Sequence, residues 1–218
     1  MNAPSADDLE ALIVRFGERI SGLAPGARSY TPGASVEVLR TYADAFAPNF
    51  VVWLATAWNG AQSPLAREIC RTNLLTEVGE DHPRMLREFV GPLVERFAGG
   101  PSAELDPILR KITSLTANRL DALLVVAGVE SASVRFMPWV AEAASSLDSR
   151  SSRYVELHLA ADVSHSGEMV DALRAEARSD ALMTSENGGS GALLAVESLV
   201  RLIFRPFSLS REAHLRAC

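Results

Sequence analysis

Cysteine, histidine and clusters of basic residues are all scarce in this sequence. Its 218 residues include two cysteines, Cys70 and Cys218, which is too few for a disulfide framework and suits a reducing cytoplasm. The 27 acidic residues outnumber the 21 basic ones, so the formal net charge is −6. A nucleic-acid-binding face or a polybasic membrane patch needs the opposite balance. These shortages leave a small molecule as the expected partner.

Neither a membrane-spanning apolar run nor a secretory signal is expected from the sequence. The N-terminal stretch "MNAPSADDLEALIVRF" begins with small and acidic residues rather than with a basic segment followed by an apolar one. Elsewhere the apolar runs are too short to cross a bilayer. The sequence therefore predicts a cytoplasmic protein that makes no use of a membrane.

Helical periodicity, by contrast, extends along most of the chain. Residues 6–22 place apolar side chains every three or four positions behind Ser5, which belongs to a favoured helix-capping type. A long and mostly apolar run over 118–147 predicts a central helix, whereas strand patterns are poor. With 48% hydrophobic residues, the chain can bury a core of its own. We expect an all-α bundle of about seven to nine helices that forms a single domain over 1–218.

Clusters of Gly, Pro and Ser mark the expected breaks between helices. An N-terminal helix and loop should occupy 1–34, and the second helix should begin at Ser35. A flexible loop is expected over 184–191, where the sequence is "TSENGGSG". The last helix, which carries "ALLAVESLVRLIF", should end at Pro206 because proline interrupts helical hydrogen bonding.

One helical segment, "YVELHLAADVSHSGE", carries three titratable groups on a single side. His158, Asp162 and His165 are spaced i, i+4 and i+7, so they fall within an arc of roughly 60° of an α-helix. Two imidazoles and a carboxylate form a competent ligand set for a first-row transition metal, especially iron. The chain has four histidines, and two of them lie in this motif. A solvated polar stripe is the alternative explanation.

A second segment, "NLLTEVGEDHP", offers further ligands at a helix break. It holds Glu77, Glu80, Asp81 and His82, the third of the four histidines. Metal sites in helical bundles are built from inward carboxylates and histidines on facing helices. An ordinary charged helix end has the same composition, so this segment alone does not decide between the two.

Glu130 lies in the expected central helix, where its surroundings are apolar or small on every face. A buried carboxylate there needs a partner, which could be a metal ion or an arginine. Alternatively, Glu130 could share an exposed stripe with Ser131 and Ser133. Counted with the other two segments, it completes three carboxylates and three imidazoles from three helices. Two metal ions bridged by carboxylates need about this many protein ligands.

The three motifs together resemble those of the haem-oxygenase-like diiron oxidases and oxygenases, also called iron-containing redox enzymes. Members carry a Glu and a His near a helix break, then a lone Glu on a central helix, and then His-x-x-x-Asp-x-x-His. This chain has "NLLTEVGEDH", "AGVESAS" and "HLAADVSH" in that order, and the similarity covers roughly residues 35–205. The resemblance implies a haem-oxygenase-like bundle with six metal ligands: Glu77, His82, Glu130, His158, Asp162 and His165.

By the same resemblance, the site would bind two Fe(II) ions and use O₂ to oxidise a small organic substrate. That substrate would be amino-acid-like or fatty-acid-like, and many members of the family serve natural-product pathways. Trp53, Phe136 and Met137 are expected to line an apolar pocket, although ordinary core packing also explains such residues. Arg201 and Arg205 on the last helix are candidates for binding an acidic substrate. Apolar terminal helices also suggest a homodimer.

The spacing between Glu77 and His82 departs from the family pattern. Five residues along an unbroken helix would place their side chains roughly 140° apart. A break in the helix between the two residues would bring His82 back toward the site. Otherwise Glu80 or Asp81 would take its place as a ligand.

Other functions are compatible with the same helical scaffold. A thiaminase-II-like enzyme, or a non-catalytic or metal-free binding protein, would not need three converging carboxylates. A haem-degrading enzyme would need a proximal histidine near the N-terminus, and residues 1–81 contain none. Metal uptake and reactivity with oxygen therefore separate the diiron enzyme from its rivals.

Overall fold

A computed structural model describes residues 5–26, 29–95, 97, 100, 102–147, 153–179 and 190–217, without the side chains of 210–217. These residues form nine α-helices and no β-strand, so the prediction of an all-α bundle is confirmed. The helices are α1 (Ala6–Ser21), α2 (Pro32–Phe46), α3 (Phe50–Gly60), α4 (Pro64–Gly79), α5 (His82–Val94), α6 (Leu105–Leu115), α7 (Arg119–Ser145), α8 (Arg153–Ser179) and α9 (Ser190–Ala217). None of these helices is both long enough and apolar enough to cross a membrane.

Two helix starts differ from those expected from the sequence. Helix α2 begins at Pro32 rather than at Ser35, because the Thr31 hydroxyl accepts the Ala34 N–H and Pro32 suits a first helical position. Helix α9 begins at Ser190, so positions 190–191 of the expected loop are helical. The rest of that loop, 184–189, lies outside the described residues.

Helix α9 also continues through Pro206 to Ala217, which corrects the expected end at that proline. A proline inside a helix costs about 3 kcal/mol. The flanking Phe204 and Phe207 are buried, and the Phe207 ring lies 4.7 Å from that of Tyr30. Burying an aromatic side chain contributes roughly 1.5–3 kcal/mol, so two of them offset the proline.

Helix α7 is the central helix, and it packs against α1, α2, α3, α8 and α9. A helix that is covered on all sides is apolar on all sides, and most of α7 is buried. Gly128 allows close approach of α9, because a Cβ atom there would lie 2.9 Å from the Leu193 Cδ2 atom. Glu130 lies half a turn further along α7 and is 3% exposed, so its carboxylate is buried in this apolar interior.

Glu176 fixes the position of α8 relative to its neighbours. Its fully buried carboxylate accepts the backbone N–H groups of Gln62 and Ser63, at 3.0 and 2.8 Å, just before α4. It also pairs with the Arg119 Nε atom at 3.2 Å, at the start of α7. One side chain thus ties α8 to the beginning of α4 and to the beginning of α7. Asp162, fourteen residues earlier in α8, is held in register by this contact.

Replacing Glu176 with alanine should lower the free energy of unfolding by about 3 kcal/mol, because two buried N–H groups lose their acceptor and Arg119 loses a carboxylate. Urea unfolding followed by circular dichroism measures the change. The matched control is Glu68→Ala, which removes an exposed pair with Arg71 and should leave the midpoint unchanged. Equal midpoints for Glu176→Ala and Glu68→Ala would contradict this account of α8.

Candidate metal centre

The break between α4 and α5 brings His82 back toward Glu77. Helix α4 ends at Gly79, and Asp81 adopts the left-handed conformation with φ 54° before His82 begins α5. The chain reverses there, so the His82 Nδ1 atom lies 2.9 Å from the Glu77 Oε1 atom. Both residues are buried, at 4% and 5% exposure for His82 and Glu77 as whole residues. The short spacing that departs from the family pattern is therefore compatible with a shared site.

Helix α8 presents the three residues of its motif to α4, α5 and α7. The ring of His158 lies 4.8 Å from that of His82, measured between centroids. His165 places its Nδ1 atom 3.9 Å from the Glu130 Oε1 atom. Asp162 lies between the two histidines in sequence and is 3% exposed. The motif is thus not a solvated polar stripe.

The six residues form two groups of three. The first triplet is Glu77, His82 and His158, and the second triplet is Glu130, Asp162 and His165. Within each triplet the possible ligand atoms all lie within 4.8 Å of one another. These are the six residues named from the sequence, and the structure brings all of them together.

The chemistry of the two triplets fits a pair of divalent cations. When ionised, the three carboxylates carry a charge of about −3, which the charge of two divalent ions would more than offset. The Asp162 Oδ2 atom is buried and has no hydrogen-bond partner among the described residues, which is costly unless a cation approaches it. His158 donates from Nδ1 to the Tyr154 carbonyl oxygen at 2.8 Å, which leaves the Nε2 lone pair for a metal.

Burial and mutual repulsion shift the pKa values of these groups. Burial, reinforced by Asp162 and Glu77, raises the pKa of Glu130 well above its usual range. Burial also raises the pKa of Asp162 to about 7, against an opposing effect of Ser133. The pKa of His158 is lowered by burial, which favours the neutral, ligating form. For His82, burial acts downward, but Glu77 and Glu80 outweigh it and raise the pKa.

A small cavity lies against these residues. Its volume of about 40 Å³ has room for about three water-sized groups. Five of the six candidate ligands line it, and the sixth, His165, does not. Its apolar surface comes from α2, α3, α5 and α7 and includes Phe46, Phe50, Leu86 and Phe136.

Of the residues expected to contact a substrate, Phe136 alone lines this cavity. Trp53 lies in the core and donates its indole N–H to Thr113, and Met137 is fully buried with its sulfur 3.5 Å from the Tyr42 hydroxyl. Core packing therefore accounts for both.

The two expected arginines and one alternative ligand also lie elsewhere. Arg201 pairs with Glu197 at 2.7 Å and Arg205 with Glu104 at 2.7 Å, both at the surface. Asp81 pairs with Arg84 at 2.7 Å, because the turn that returns His82 directs the Asp81 side chain outward.

Tyr42 and Tyr154 also line the cavity, and neither was expected from the sequence. Their hydroxyl oxygens are 2.7 Å apart, and burial raises the pKa of both phenols. Tyr154 precedes His158 by four residues, and that helical spacing is the signal that could have found it. Tyr42 has no comparable signal, since it lies in a helix without other candidate ligands.

Comparison with known proteins supports the fold. No protein-family model matches the chain, and no curated protein matches it. The structure is similar to that of a TenA homolog from Pseudomonas syringae pv. tomato, with 12% identity, a TM-score of 0.64, and coverage of 96% of this chain and 94% of that one. It is also similar to a CADD-like protein of unknown function from Nostoc punctiforme, with 14% identity, a TM-score of 0.59, and coverage of 92% and 98%.

Both likenesses extend over at least 92% of this chain, so the expected all-α helical fold is confirmed. At identities this low, the likeness concerns the fold alone. The activity has to be argued from the arrangement of the two triplets.

The raised pKa of Asp162 predicts a pH-dependent gain in stability for the variant Asp162→Asn in metal-free protein. The folded carboxyl, with a pKa of about 7, binds its proton more tightly than the unfolded one at 3.8. The free energy of unfolding of the wild type therefore falls as pH rises through that window. At pH 8, Asp162→Asn should be more stable than the wild type by about 2 kcal/mol, and the difference should shrink toward pH 4.

Urea unfolding with a chelator present, at pH 5 and pH 8, measures this difference. Asp171→Asn on the exposed face of the same helix is the control and should follow the wild type at both pH values. A variant Asp162→Asn that is less stable than the wild type at pH 8 would show that the metal-free site already neutralises this carboxylate.

Proposed function

We propose that this protein is a non-haem diiron, O₂-dependent oxidase or oxygenase that acts on a small organic substrate, in a natural-product or other specialised biosynthetic pathway. The observation that carries the proposal is the pair of adjacent triplets, each with carboxylate and imidazole ligand atoms within 4.8 Å of one another. Nitrogen and oxygen ligands in this combination suit iron.

Each triplet would hold one of the two metal ions. Glu77, His82 and His158 would hold one ion, and Glu130, Asp162 and His165 the other. With two ferrous ions bound, the site would supply the electrons that activate dioxygen. The protein contributes by fixing the ligands on four helices and by burying them, which keeps bulk water away from the reacting atoms.

The cavity lining favours a substrate with a substantial apolar part. Apart from the candidate ligands, the lining is apolar or carries hydroxyl groups, and it includes no Arg or Lys among the described residues. The carboxylate of an amino-acid-like or fatty-acid-like substrate would therefore be neutralised by the metal ions rather than by a basic side chain. The hydrocarbon or aromatic part would contact Phe46, Phe50 and Phe136.

The second candidate is a metal-free enzyme or binding protein on the same scaffold, since the likeness to a TenA homolog concerns the fold and not a metal site. Such a protein would have to keep three carboxylates buried close together without a cation. Burial of charge without a partner costs several kcal/mol, so this arrangement favours the metal-binding candidate. Metal uptake distinguishes the two.

Anaerobic titration with Fe(II) should load two ions per wild-type chain. Asp162→Ala and His165→Ala should each lower the affinity for the second ion on the order of 100-fold. The reason is that each variant removes one ligand of the second triplet. Metal analysis after desalting counts the ions, and circular dichroism checks that helicity is retained. An oxygen electrode then records whether uptake of O₂ depends on the bound iron.

Asp171→Ala, on the exposed side of the same helix, is the control and should load iron as the wild type does. A folded wild-type protein that takes up neither iron nor oxygen would favour the metal-free candidate. Unchanged loading in both ligand variants would remove the second triplet from the site.

A further inference from the structure

The ring of His82 is held between two carboxylates that lie on different sides of it. Its Nδ1 atom is 2.9 Å from the Glu77 Oε1 atom, and its Nε2 atom is 3.1 Å from the Glu80 Oε2 atom. Since a neutral imidazole carries a single N–H, one of these contacts can be a hydrogen bond from the ring and the other faces a lone pair. The surroundings of Glu77 and Glu80 decide which ring nitrogen carries the N–H.

Glu77 and Glu80 differ in their surroundings. The Glu77 side chain is 7% exposed and lines the buried cavity. The Glu80 side chain is 46% exposed, at the C-terminal end of α4, and lines an outer surface groove with Arg84, Met85, Glu88 and Phe89. The His82 ring therefore faces a residue of the buried cavity with Nδ1 and a residue of the outer groove with Nε2.

We infer that Glu80 is a positioning residue for His82 rather than a metal ligand. Its carboxylate accepts the Nε2–H, so the neutral ring keeps its Nδ1 lone pair free for the cation that Glu77 would share. The inference rests on the proposed diiron function. Glu80 is not among the three residues of the first triplet, and it does not line the cavity, which separates it from the ligands.

The two histidines of the first triplet are then held in opposite orientations. His158 donates from Nδ1 to the Tyr154 carbonyl oxygen and leaves Nε2 free, whereas His82 donates from Nε2 to Glu80 and leaves Nδ1 free. A hydrogen bond from the other ring nitrogen is the usual means of fixing the tautomer of a metal-binding histidine. In this chain a backbone carbonyl serves one ring and an acidic side chain serves the other.

Nitrogen-15 NMR with excess Zn(II), a diamagnetic cation that can share the lone pairs of His82 Nδ1 and Glu77, reports the tautomer directly. The wild type should show a protonated Nε2 and an unprotonated Nδ1 for His82. Glu80→Ala should shift this ring toward a mixture of tautomers, and Glu80→Gln should keep the wild-type pattern because its amide oxygen still accepts. Glu88→Ala, in the same groove but bonded to Arg84, is the control. A protonated Nδ1 in the wild type, or an unchanged pattern in Glu80→Ala, would overturn the inference.

Binding of Co(II), measured by competition with a chelator, is the second readout. Glu80→Ala should lower the Co(II) affinity of one of the two sites by about tenfold or more, and Glu80→Gln should restore most of that affinity. Glu77→Ala should weaken the same site further, because it removes a ligand. A loss in Glu80→Ala as large as that in Glu77→Ala would make Glu80 a ligand and overturn the inference. If the wild type binds no metal, the proposed function fails, and the nitrogen shifts still decide whether Glu80 holds the ring.

Discussion

Three carboxylates that face one another inside an apolar bundle are the constraint on which the rest of this structure depends. Glu77, Glu130 and Asp162 are each at most 5% exposed, and the Asp162 Oδ2 atom has no hydrogen-bond partner in the described structure. Burial and repulsion both oppose the ionisation of Glu130 and Asp162, so the placement of the carboxylates makes physical sense when cations share the space. His82, His158 and His165 complete the set of candidate ligands around these carboxylates.

The ligands converge because contacts outside the site position the helices that carry them. Glu176 binds the backbone before α4 and the first residue of α7, and so sets the register of α8. The left-handed Asp81 reverses the chain between α4 and α5, which converts an unfavourable five-residue spacing into a close pair. Neither residue lines the cavity, yet both determine where ligands lie.

Much of the candidate site could be predicted because its signals are local or compositional. Helical spacing places His158, Asp162 and His165 on one face whatever the neighbouring helices are. Glu130 was recognisable as a lone acid in an apolar helix. The surface pairs of Arg201 and Arg205, and the cavity position of Tyr42, depend on which helices meet, and no local pattern records that.

The sequence by itself determined the helical class, most helix positions and the six candidate ligands, because periodicity and residue chemistry act over a few turns of one helix. Tertiary structure alone decided that His82 returns to Glu77, that α9 passes through Pro206, and that the ligands divide into two triplets. These outcomes depend on backbone reversal and on packing between segments far apart in the chain. Their free energies come from contacts that exist once the helices have assembled.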